Sequence, residues 1–264
     1  MFFALKKLIP NSTKYPFYYL FKAPQRRFAP NSVYSDLLGI GIYVWYTLFP
    51  FKKLKPITIC TGIYNRSDNY LNHLIPSINK AKHQHLITLS VFDCKSTDID
   101  NLETEIRKYW QGPLIFNSEP IKFSRSYAFN KAVSQSITDI VFICDADLSL
   151  PENIVAYCNF FTAPKRVWYP IFFFLFNHKP AVIAKQNGVW EQYGSKGMLA
   201  CLKQDWQNIG GLNEGYTVWG YEDTALWENF HKNGFTIVRN RAPIMHHWHS
   251  SHNPKYQFMN DQEG

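Results

Sequence analysis

The chain of 264 residues is long enough for one globular domain with an appendage, and its 46% hydrophobic and 17% aromatic residues exclude an extensively disordered protein. With 28 basic and 20 acidic residues the formal net charge is +8, and residues 1–55 account for all of it, since they hold nine Lys or Arg residues and one acid, Asp36. In this segment basic residues alternate with bulky apolar ones, which favours an anionic membrane surface as partner. We therefore predict no binding to nucleic acid.

Residues 1–56 are predicted to form a basic, aromatic appendage before a catalytic domain over residues 57–264. Within it, residues 37–51 form an apolar run that is shorter than the roughly 20 residues needed to span a bilayer. Two interpretations stay open: an interfacial anchor, favoured by the lysines that follow, or a hairpin or helix packed on the catalytic domain. The first seven residues lack a long apolar core, so we expect no secretory signal and a cytoplasmic protein, peripheral at the inner face of a membrane.

The catalytic domain begins with alternating strand and helix patterns. Apolar, β-branched runs predict strands over residues 57–63, 86–92 and 140–144. Apolar residues at helical spacing predict helices over residues 70–82, 98–110 and 127–136. This alternation is typical of an α/β fold with a parallel sheet, in which ligands bind beyond the carboxyl ends of the strands. Asn65, Asp93 and Asp145 each lie at or just past such an end.

The second half of the domain is less regular. The very apolar residues 168–176 favour a core strand over a hydrophobic loop near a membrane. We also predict helices over residues 199–209 and 224–233 and a strand over residues 235–238. The five cysteines are odd in number and form no CxxC pattern, so they are predicted to be buried, reduced thiols rather than disulfides or zinc ligands.

A pair of aspartates, Asp145 and Asp147, follows the third predicted strand. On extended backbone, Asp-x-Asp places both carboxylates on one side, where their repulsion favours a bound cation. Oxygen ligands suit Mg²⁺ or Mn²⁺, which also bridge to phosphates. The alternative is a capping or turn pair before Pro151, because Asp-x-Asp occurs by chance in many chains.

Four of the nine histidines lie within residues 246–252. On an extended segment His247 and His249 would face the same side, and imidazole is a good ligand for manganese. No acidic or cysteine ligand accompanies them locally, so we expect them to complete a metal site built elsewhere rather than a zinc site of their own. For His246 and His252 individually, a surface or core-edge position is the favoured interpretation.

A second acidic pair, Glu222 and Asp223, follows Trp219 and Gly220 and precedes an amphipathic helix. One interpretation is structural, because the helix dipole favours carboxylates at a helix N-terminus. The other is catalytic: a carboxylate takes a proton from an acceptor hydroxyl, and the tryptophan ring stacks on a sugar face. Arg125, just before a predicted helix, is either a diphosphate contact or an ordinary solvated arginine.

Taken in order, these motifs resemble those of GT-A-fold glycosyltransferases over about residues 57–250. Residues 57–150 are similar to the family-2 nucleotide-sugar domain, with Ile63-Tyr-Asn-Arg66 after the first strand and Asp93-Cys-Lys-Ser-Thr-Asp98 after the second. Residues 123–151 are similar to the Phe-Asn-Arg-Ala…Asp-Val-Asp-Leu-x-Pro stretch of β-1,4-galactosyltransferases.

Residues 186–250 resemble the C-terminal region that galactosyltransferases share with chondroitin-type N-acetylgalactosaminyltransferases. The marks of this region are Gly210-Gly-Leu-Asn213, Trp219-Gly-Tyr-Glu-Asp223, Arg239 and the His-x-Trp-His of residues 246–249. The resemblance implies a GT-A, Rossmann-like α/β fold, with a mixed, mostly parallel sheet flanked by helices, behind the N-terminal appendage.

The resemblance also implies roles for individual residues. The nucleotide-sugar donor would be held by Thr61, Ile63, Asn65, Arg66, Asp93, Arg125 and Asp145. The metal, Mn²⁺ or Mg²⁺, would be held by Asp147 with His249 or His247. The acceptor side would use Asp223 as general base, with Glu222, Trp219 and Gly220 positioning a sugar.

The implied function is metal-dependent transfer of a galactose-, N-acetylgalactosamine- or N-acetylglucosamine-type sugar from a UDP-sugar to a hydroxyl of a glycan or lipid-linked glycan. The family members with this Glu-Asp pair usually invert the anomeric centre, and surface-polysaccharide or glycoconjugate synthesis is the expected context. Two alternatives stay open: a retaining GT-A enzyme, and a catalytically inactive glycan-binding or membrane scaffold protein. Galactosyltransferases have Trp-Gly-Gly-Glu-Asp, whereas Tyr221 replaces the second glycine here, so the sugars themselves are not predicted.

Overall fold

A computed structural model describes residues 30–49, 53–191, 196–216 and 221–249, with side chains from residue 37 onward. Trp219 and Gly220, which the sequence suggests as sugar-binding residues, lie outside the described residues. The same is true of residues 1–29 of the predicted appendage.

Nine strands of the described residues form a single sheet. They are β1 (Ile57–Ile63), β2 (Ile87–Asp93), β3 (Leu114–Ser118), β4 (Ile140–Ile143), β5 (Leu148–Ser149), β6 (Arg166–Leu175), β7 (Gly188–Trp190), β8 (Leu199–Leu202) and β9 (Thr236–His246). The strand order is β3-β2-β1-β4-β8-β6-β9-β5, and β7 pairs with β6. The four strands β3, β2, β1 and β4 are parallel, as are β6 and β9, while β8 pairs antiparallel with both β4 and β6.

Helices cover the sheet on both sides. They are α1 (Pro30–Leu48), α2 (Ser67–Asn69), α3 (Ile75–Asn79), α4 (Leu102–Tyr109), α5 (Arg125–Ser134), α6 (Ile154–Phe161), α7 (Lys203–Asn208) and α8 (Glu222–Lys232). A π-helical segment, Tyr70–Leu74, joins α2 to α3, so the helix predicted over residues 70–82 begins earlier and ends sooner. The mixed α/β architecture predicted from the sequence is confirmed.

The strands β1, β2 and β4 are buried along their length, which explains their continuous apolar, β-branched sequences. Along β1, Ile57 and Ile59 belong to one core cluster and Cys60 to another, as the alternation of side chains across a sheet requires. At Gly62 a Cβ would lie 2.6 Å from the Cβ of Ala128, so the absence of a side chain lets α5 pack closely on β1. All five cysteines are buried and free, as predicted.

The prediction of one helix over residues 199–209 is wrong. Residues Leu199–Leu202 form β8, which pairs antiparallel with β4, and a helix begins only at Lys203. The four residues before Lys203 suit a buried strand as well as a helix, and the pairing with β4 decides between them. The predicted core strand over residues 168–176 is confirmed as β6, which begins two residues earlier.

The strand predicted over residues 235–238 continues to His246. The charged residues of the continuation are not typical of a buried strand, so the sequence pattern does not predict it. Arg239 and Arg241 are buried within β9, and Pro243 lies close to an irregularity in the pairing of β9 with β6. Proline in a strand is tolerated at such irregularities. The extension of β9 brings the histidine segment back to the part of the sheet that follows β4, since β9 pairs with β5.

The first helix, α1, packs on the catalytic domain. It contacts β9 and α6, and Leu38, Ile42 and Tyr43 lie against the main core cluster. The packed alternative for residues 37–51 is therefore observed for the described part of that segment. Among the residues that the structure describes, no helix combines the length and the apolar character that crossing a bilayer requires.

Candidate active site

The loops after β1 and β2 are held together by side-chain to backbone hydrogen bonds. The Asn65 backbone amide donates to Ser96 Oγ at 3.0 Å, and Asn65 Oδ1 accepts from the Thr97 amide at 2.7 Å. Asn65 has a positive φ of 51°, a conformation that asparagine tolerates better than most residues. Asn65 thus shapes the edge of the sheet where a parallel α/β fold binds its ligands.

Asp93, at the end of β2, is buried and already has several donors. Its carboxylate accepts from Ser96 Oγ at 2.6 Å, from the Ser96 amide at 3.0 Å, and from Ser118 Oγ at 2.9 Å. These bonds fix the turn after β2 and the end of β3. The role of Asp93 in nucleotide binding stays a prediction, and the bonds to Ser96 and Ser118 give it a structural role as well.

Two of the predicted donor-binding residues, Thr61 and Ile63, lie within β1 and are fully buried. Thr61 Oγ1 lies 4.0 Å from Cys144 Sγ, and the Ile63 carbonyl accepts from the Cys94 amide at 2.9 Å. Their side chains therefore pack in the interior, and neither is exposed at the edge of the sheet.

Arg125 joins the two acidic pairs, which are far apart in the sequence. It is the first residue of α5, and its guanidinium donates to both carboxylate oxygens of Asp145, at 3.1 Å and 3.3 Å. Its Nη1 lies 3.5 Å from Glu222 Oε1, and its Nη2 donates to the carbonyl of Gly197. A bidentate contact of this kind fixes orientation as well as charge. Arg125 therefore places Asp145 and Glu222 at one site.

The charge of Arg125 is secured by these neighbours. Burial, the largest single effect, acts to lower the pKa of Arg125, but the charges of Asp145, Glu222 and Asp223 outweigh it, so the pKa is raised. The guanidinium also lies over the Phe129 ring, 4.6 Å from its centroid. The sequence leaves open whether Arg125 is solvated, and the structure places it in a partly buried ion-pair network.

Asp147 lies beside two histidines rather than beside Asp145. Its Oδ2 is 2.9 Å from His249 Nε2, and its Oδ1 is 3.6 Å from His246 Nε2. Burial alone would raise the pKa of Asp147, but His246 and His249, with a further contribution from Arg66, hold it well below its usual range. Asp147 is therefore a carboxylate, and Arg66 contributes positive charge near it.

The group formed by Asp147, His246 and His249 fits a divalent metal ion. One ligand atom from each residue lies within 4.8 Å of the others, a span that one ion with bonds of about 2.0–2.2 Å bridges after a small adjustment. Asp147 Oδ1 is buried and has no hydrogen-bond partner among the described residues, which is unusual unless a cation occupies that side. A set of one carboxylate and two imidazoles suits a first-row divalent metal ion.

His247, a predicted metal ligand, points elsewhere. Its Nε2 is 2.5 Å from Ser149 Oγ, and its ring stacks on His73 with centroids 3.7 Å apart. Burial lowers the pKa of His247 to about 4, and the nearby His73 and His246 add to this effect. The expectation that His247 and His249 share a side does not hold, because β9 ends at His246 and the alternation of an extended strand ends with it.

His246 takes the place that the sequence interpretation gave to His247. The sequence favours a surface or core-edge position for His246, and the residue is indeed only half-buried, but it contacts the rings of Phe172 and Phe174, at centroid distances of 5.6 Å and 4.9 Å, and lies next to Asp147. A signal was present in the sequence: Ala242 and Ile244 precede it at strand spacing, and both are fully buried. Extending that alternation by one step turns His246 toward the interior.

The two carboxylates of Asp-x-Asp do not act as one pair. β4 ends at Ile143, and the chain turns at Ala146 and Asp147 instead of staying extended. Asp145 consequently faces Arg125, while Asp147 faces the histidines. The prediction that both carboxylates lie on one side does not hold for this reason, although both residues remain at the same edge of the sheet.

The second acidic pair begins α8, as the helix-capping interpretation requires, and its members also diverge. Glu222 is buried and lies next to Arg125, whereas Asp223 Oδ1 accepts from the Thr224 amide at 2.6 Å. Tyr221, just before them, has a φ of 72° and is 77% exposed. A tyrosine in this left-handed conformation is strained, and such strain is concentrated at functional sites.

Asn130 is a structural residue of the site that the sequence interpretation did not single out. Its side chain donates to the Leu212 carbonyl at 2.8 Å and accepts from the Leu212 amide at 3.0 Å. This bond pair holds the Gly210-Gly211 turn against α5. At Gly211, with a φ of 65°, a Cβ would lie 2.5 Å from Asn130 Oδ1, so glycine is required there. The signal was the Asn within the Phe123–Ala132 motif, five residues after Arg125.

Solved structures share this fold. The crystal structure of GalNAc-T7 with UDP, GalNAc and Mn²⁺ has a TM-score of 0.57 at 13% identity and covers 75% of this chain and 45% of that one. The mannosyltransferase PcManGT from Pyrobaculum calidifontis, in complex with GDP-Man and Mn²⁺, has a TM-score of 0.54 at 14% identity, with 86% and 70% covered. S. aureus TarS has a TM-score of 0.57 at 14% identity, with 73% and 37% covered. At these identities the likeness shows the GT-A fold alone, and it confirms that prediction.

Sequence comparison gives the family. Chondroitin sulfate N-acetylgalactosaminyltransferase 1 from Mus musculus is 30% identical over 129 residues, which are 43% of this chain and 24% of the relative. The Homo sapiens protein of the same name is 30% identical over 126 residues, with 42% and 24% covered. The match thus spans about a quarter of the length of these curated relatives.

A family model described as Chondroitin N-acetylgalactosaminyltransferase matches residues 63–262, which is well over half of the chain. This range contains both acidic pairs, Arg125 and the three residues of the metal-ion group. The resemblance inferred from the motifs is confirmed, and the chain belongs to the chondroitin N-acetylgalactosaminyltransferase family of glycosyltransferases.

Proposed function

We propose that this protein transfers a galactose-, N-acetylgalactosamine- or N-acetylglucosamine-type sugar from a UDP-sugar to a hydroxyl of a glycan or lipid-linked glycan. The observation that carries the proposal is the junction at Arg125, which pairs with Asp145 and with Glu222. Because Asp147 and Asp223 are the other members of these two pairs, we assign the metal group and the general base to the two sides of one site. A sugar transferase needs such an arrangement, with the donor and its metal on one side and the acceptor and its general base on the other.

Asp147, His246 and His249 are the proposed metal ligands, and Mn²⁺, or Mg²⁺ in its place, is the proposed ion. When bound, the metal offsets the negative charge of the departing diphosphate. Two structures that share the fold were solved with Mn²⁺ and a nucleotide or nucleotide sugar, which supports this assignment.

The donor nucleotide is proposed to lie along the loops after β1 and β2, against Asn65 and Asp93. We assign the diphosphate contact to Arg66 rather than to Arg125. The guanidinium of Arg125 already contacts two carboxylates and a carbonyl. Arg66, in contrast, helps to lower the pKa of Asp147 at the metal group. Arg125 then acts on the donor indirectly, by holding Asp145.

Asp223 is the proposed general base. It takes the proton of the acceptor hydroxyl as the acceptor oxygen bonds to the anomeric carbon, while the bond from that carbon to the diphosphate breaks and its electron pair leaves with UDP. This is a single displacement, which inverts the anomeric centre, with a transition state of oxocarbenium character. Glu222, held by Arg125, positions a sugar, and Trp219 and Gly220 are proposed to contribute to the same subsite.

The names of the relatives make UDP-N-acetylgalactosamine the first donor to test. The proposed context is surface-polysaccharide or glycoconjugate synthesis, at the inner face of a membrane. That location is a proposal which rests on the basic appendage and on the exposed face of α1.

A screen of nucleotide sugars tests the function directly. The protein is incubated with each UDP-sugar and Mn²⁺, with and without a panel of glycan acceptors, and free UDP is measured. The proposal expects UDP release with one or a few donors, stimulation by an acceptor, and loss of release when EDTA is added. Release that is indifferent to EDTA contradicts the metal assignment, and no release from any UDP-sugar contradicts the reaction. Product stereochemistry by NMR distinguishes inversion from retention.

A further inference from the structure

One face of α1 is fixed to the catalytic domain. Gly39 is buried, and a Cβ at this position would overlap the carbonyl oxygen of Arg239 in β9, so the helix backbone lies directly on the strand. Tyr46 stacks on Phe160 of α6 with centroids 5.0 Å apart. The orientation of α1 is therefore set by packing, and its outer face is presented in a fixed direction.

That outer face is apolar. It and the residue after the helix carry five large exposed hydrophobic side chains: Leu37, Val44, Trp45, Leu48 and Phe49. The first four recur at the i, i+7, i+8, i+11 spacing of one helical face. Trp45 is 59% exposed and Leu48 is 67% exposed, and a contiguous apolar stripe of this kind marks an interaction surface.

The charges around the stripe indicate its partner. α1 carries a single charged residue, Asp36, and the exposed Lys53 and Lys55 follow within a few residues of its end. The sequence before the helix, residues 1–29, contains six Lys or Arg residues and no acid. Exposed apolar and aromatic side chains with basic residues close by in the sequence suit the interface of an anionic membrane.

We propose that the apolar stripe of α1 lies in the surface of an anionic membrane, with the helix parallel to that surface. Trp45, Leu48 and Phe49 enter the boundary between headgroups and acyl chains, and Lys53 and Lys55 contact the acidic headgroups. The inner face of α1 stays on β9, so the catalytic domain is held at a defined orientation above the lipid. The proposal does not depend on the reaction that the domain performs, and its test needs no substrate.

The five native cysteines are buried, so a single exposed cysteine takes up a thiol-reactive dye selectively. The full chain is labelled at Leu48→Cys with an environment-sensitive dye and mixed with vesicles of phosphatidylglycerol and phosphatidylcholine. The proposal expects a blue shift and an intensity rise with these vesicles and a much weaker response with phosphatidylcholine alone. The control label is at Ile137→Cys, which is 72% exposed in a loop and should stay in water.

Sedimentation with the same vesicles measures affinity. The double variant Trp45→Ser, Leu48→Ser should partition at least about tenfold more weakly, because two large apolar side chains no longer enter the lipid. Each of Lys53→Gln and Lys55→Gln should weaken partition about fivefold on anionic vesicles only. The control Ile137→Ser should change nothing.

Three results would overturn the proposal. Unchanged partition of the double variant excludes the stripe from membrane binding. A label at position 48 that is already in an apolar environment without vesicles, and does not respond to them, means that residues 1–29 cover the stripe. A dimer that light scattering detects in the wild type but not in the double variant, combined with no vesicle binding, assigns the stripe to contact between two copies.

Discussion

The two acidic pairs of the site share one contact pattern, although one lies in a turn after β4 and the other at the start of α8. In each pair one carboxylate contacts Arg125, namely Asp145 in the first and Glu222 in the second. The other member points away, Asp147 to the histidines and Asp223 to the Thr224 amide. A single, largely buried arginine thus contacts one carboxylate of each pair.

The remaining two carboxylates, Asp147 and Asp223, have different surroundings, and these suit different chemical roles. Asp147 is buried next to two imidazoles and holds its charge, as a metal ligand requires. Among the described residues Asp223 forms no ion pair, which suits a group that must accept a proton. Arg125 therefore leaves one carboxylate of each pair, Asp147 and Asp223, for the roles proposed above.

The largest expected effect follows from removing Arg125. Arg125→Gln removes the guanidinium that pairs with the buried Glu222, so the free energy of unfolding should fall by about 3 kcal/mol in urea denaturation. The Asp145 contact contributes less, because that side chain is 37% exposed and screened by water. The double variant Arg125→Gln, Glu222→Gln should recover part of the loss. A loss below about 1 kcal/mol would mean that Arg125 does not organise the two pairs.

Asp223→Asn tests the acceptor side. Removing the proposed base should reduce the rate of sugar transfer at least about a hundredfold, within the range that general base catalysis contributes. Stopped assays with the donor and acceptor identified by the screen measure kcat. The control is Thr224→Ala, which retains the backbone amide that donates to Asp223 and should show near-normal turnover. Normal turnover in Asp223→Asn removes this residue from the mechanism.

Variants of two neighbouring histidines, His246 and His247, test which of them binds the metal ion. His246→Ala should weaken Mn²⁺ binding at least about tenfold, because one of three proposed ligands is lost, whereas His247→Ala should change it by less than about threefold. Calorimetric titration of Mn²⁺ in the presence of UDP measures both. The opposite ranking would restore the assignment of His247 that the sequence suggested.

The smallest effect concerns the backbone before the second pair. Tyr221→Gly should stabilise the protein by about 0.5–1 kcal/mol, because glycine relieves the strain of a positive φ but loses more backbone entropy on folding. The melting temperature should rise by about 1–4 °C. Tyr221→Ala retains the Cβ and should not stabilise. Equal stability of the Gly and Ala variants would show that Tyr221 is not strained.

Much of the first half of the fold could be predicted from the sequence. The strands near residues 57–63, 86–92 and 140–144 are buried on both faces, so their composition alone distinguishes them. The same parallel order places Asn65, Asp93 and Asp145 at one edge, as expected. Local pattern fails at residues 199–209, where pairing with β4 and not composition selects the strand.

The contacts within the site were less predictable, because they depend on where the chain bends. The turn at Ala146 separates Asp145 from Asp147, and the end of β9 at His246 decides which histidine turns inward. The contact of Arg125 with Glu222 joins residues almost a hundred positions apart, and no local pattern encodes it. The sequence alone predicts which residues are candidates for the site, but it does not predict which residues they contact.

The division of roles between Asp147 and Asp223 is tested most directly by titrating UDP, in the presence of Mn²⁺, into Asp147→Ala and Asp223→Asn side by side. Asp147→Ala should lose the Mn²⁺-dependent part of UDP binding, while Asp223→Asn should bind UDP like the wild type although it no longer transfers sugar. Equal loss of UDP binding in both variants, or Mn²⁺-dependent binding that survives in Asp147→Ala, would contradict the account.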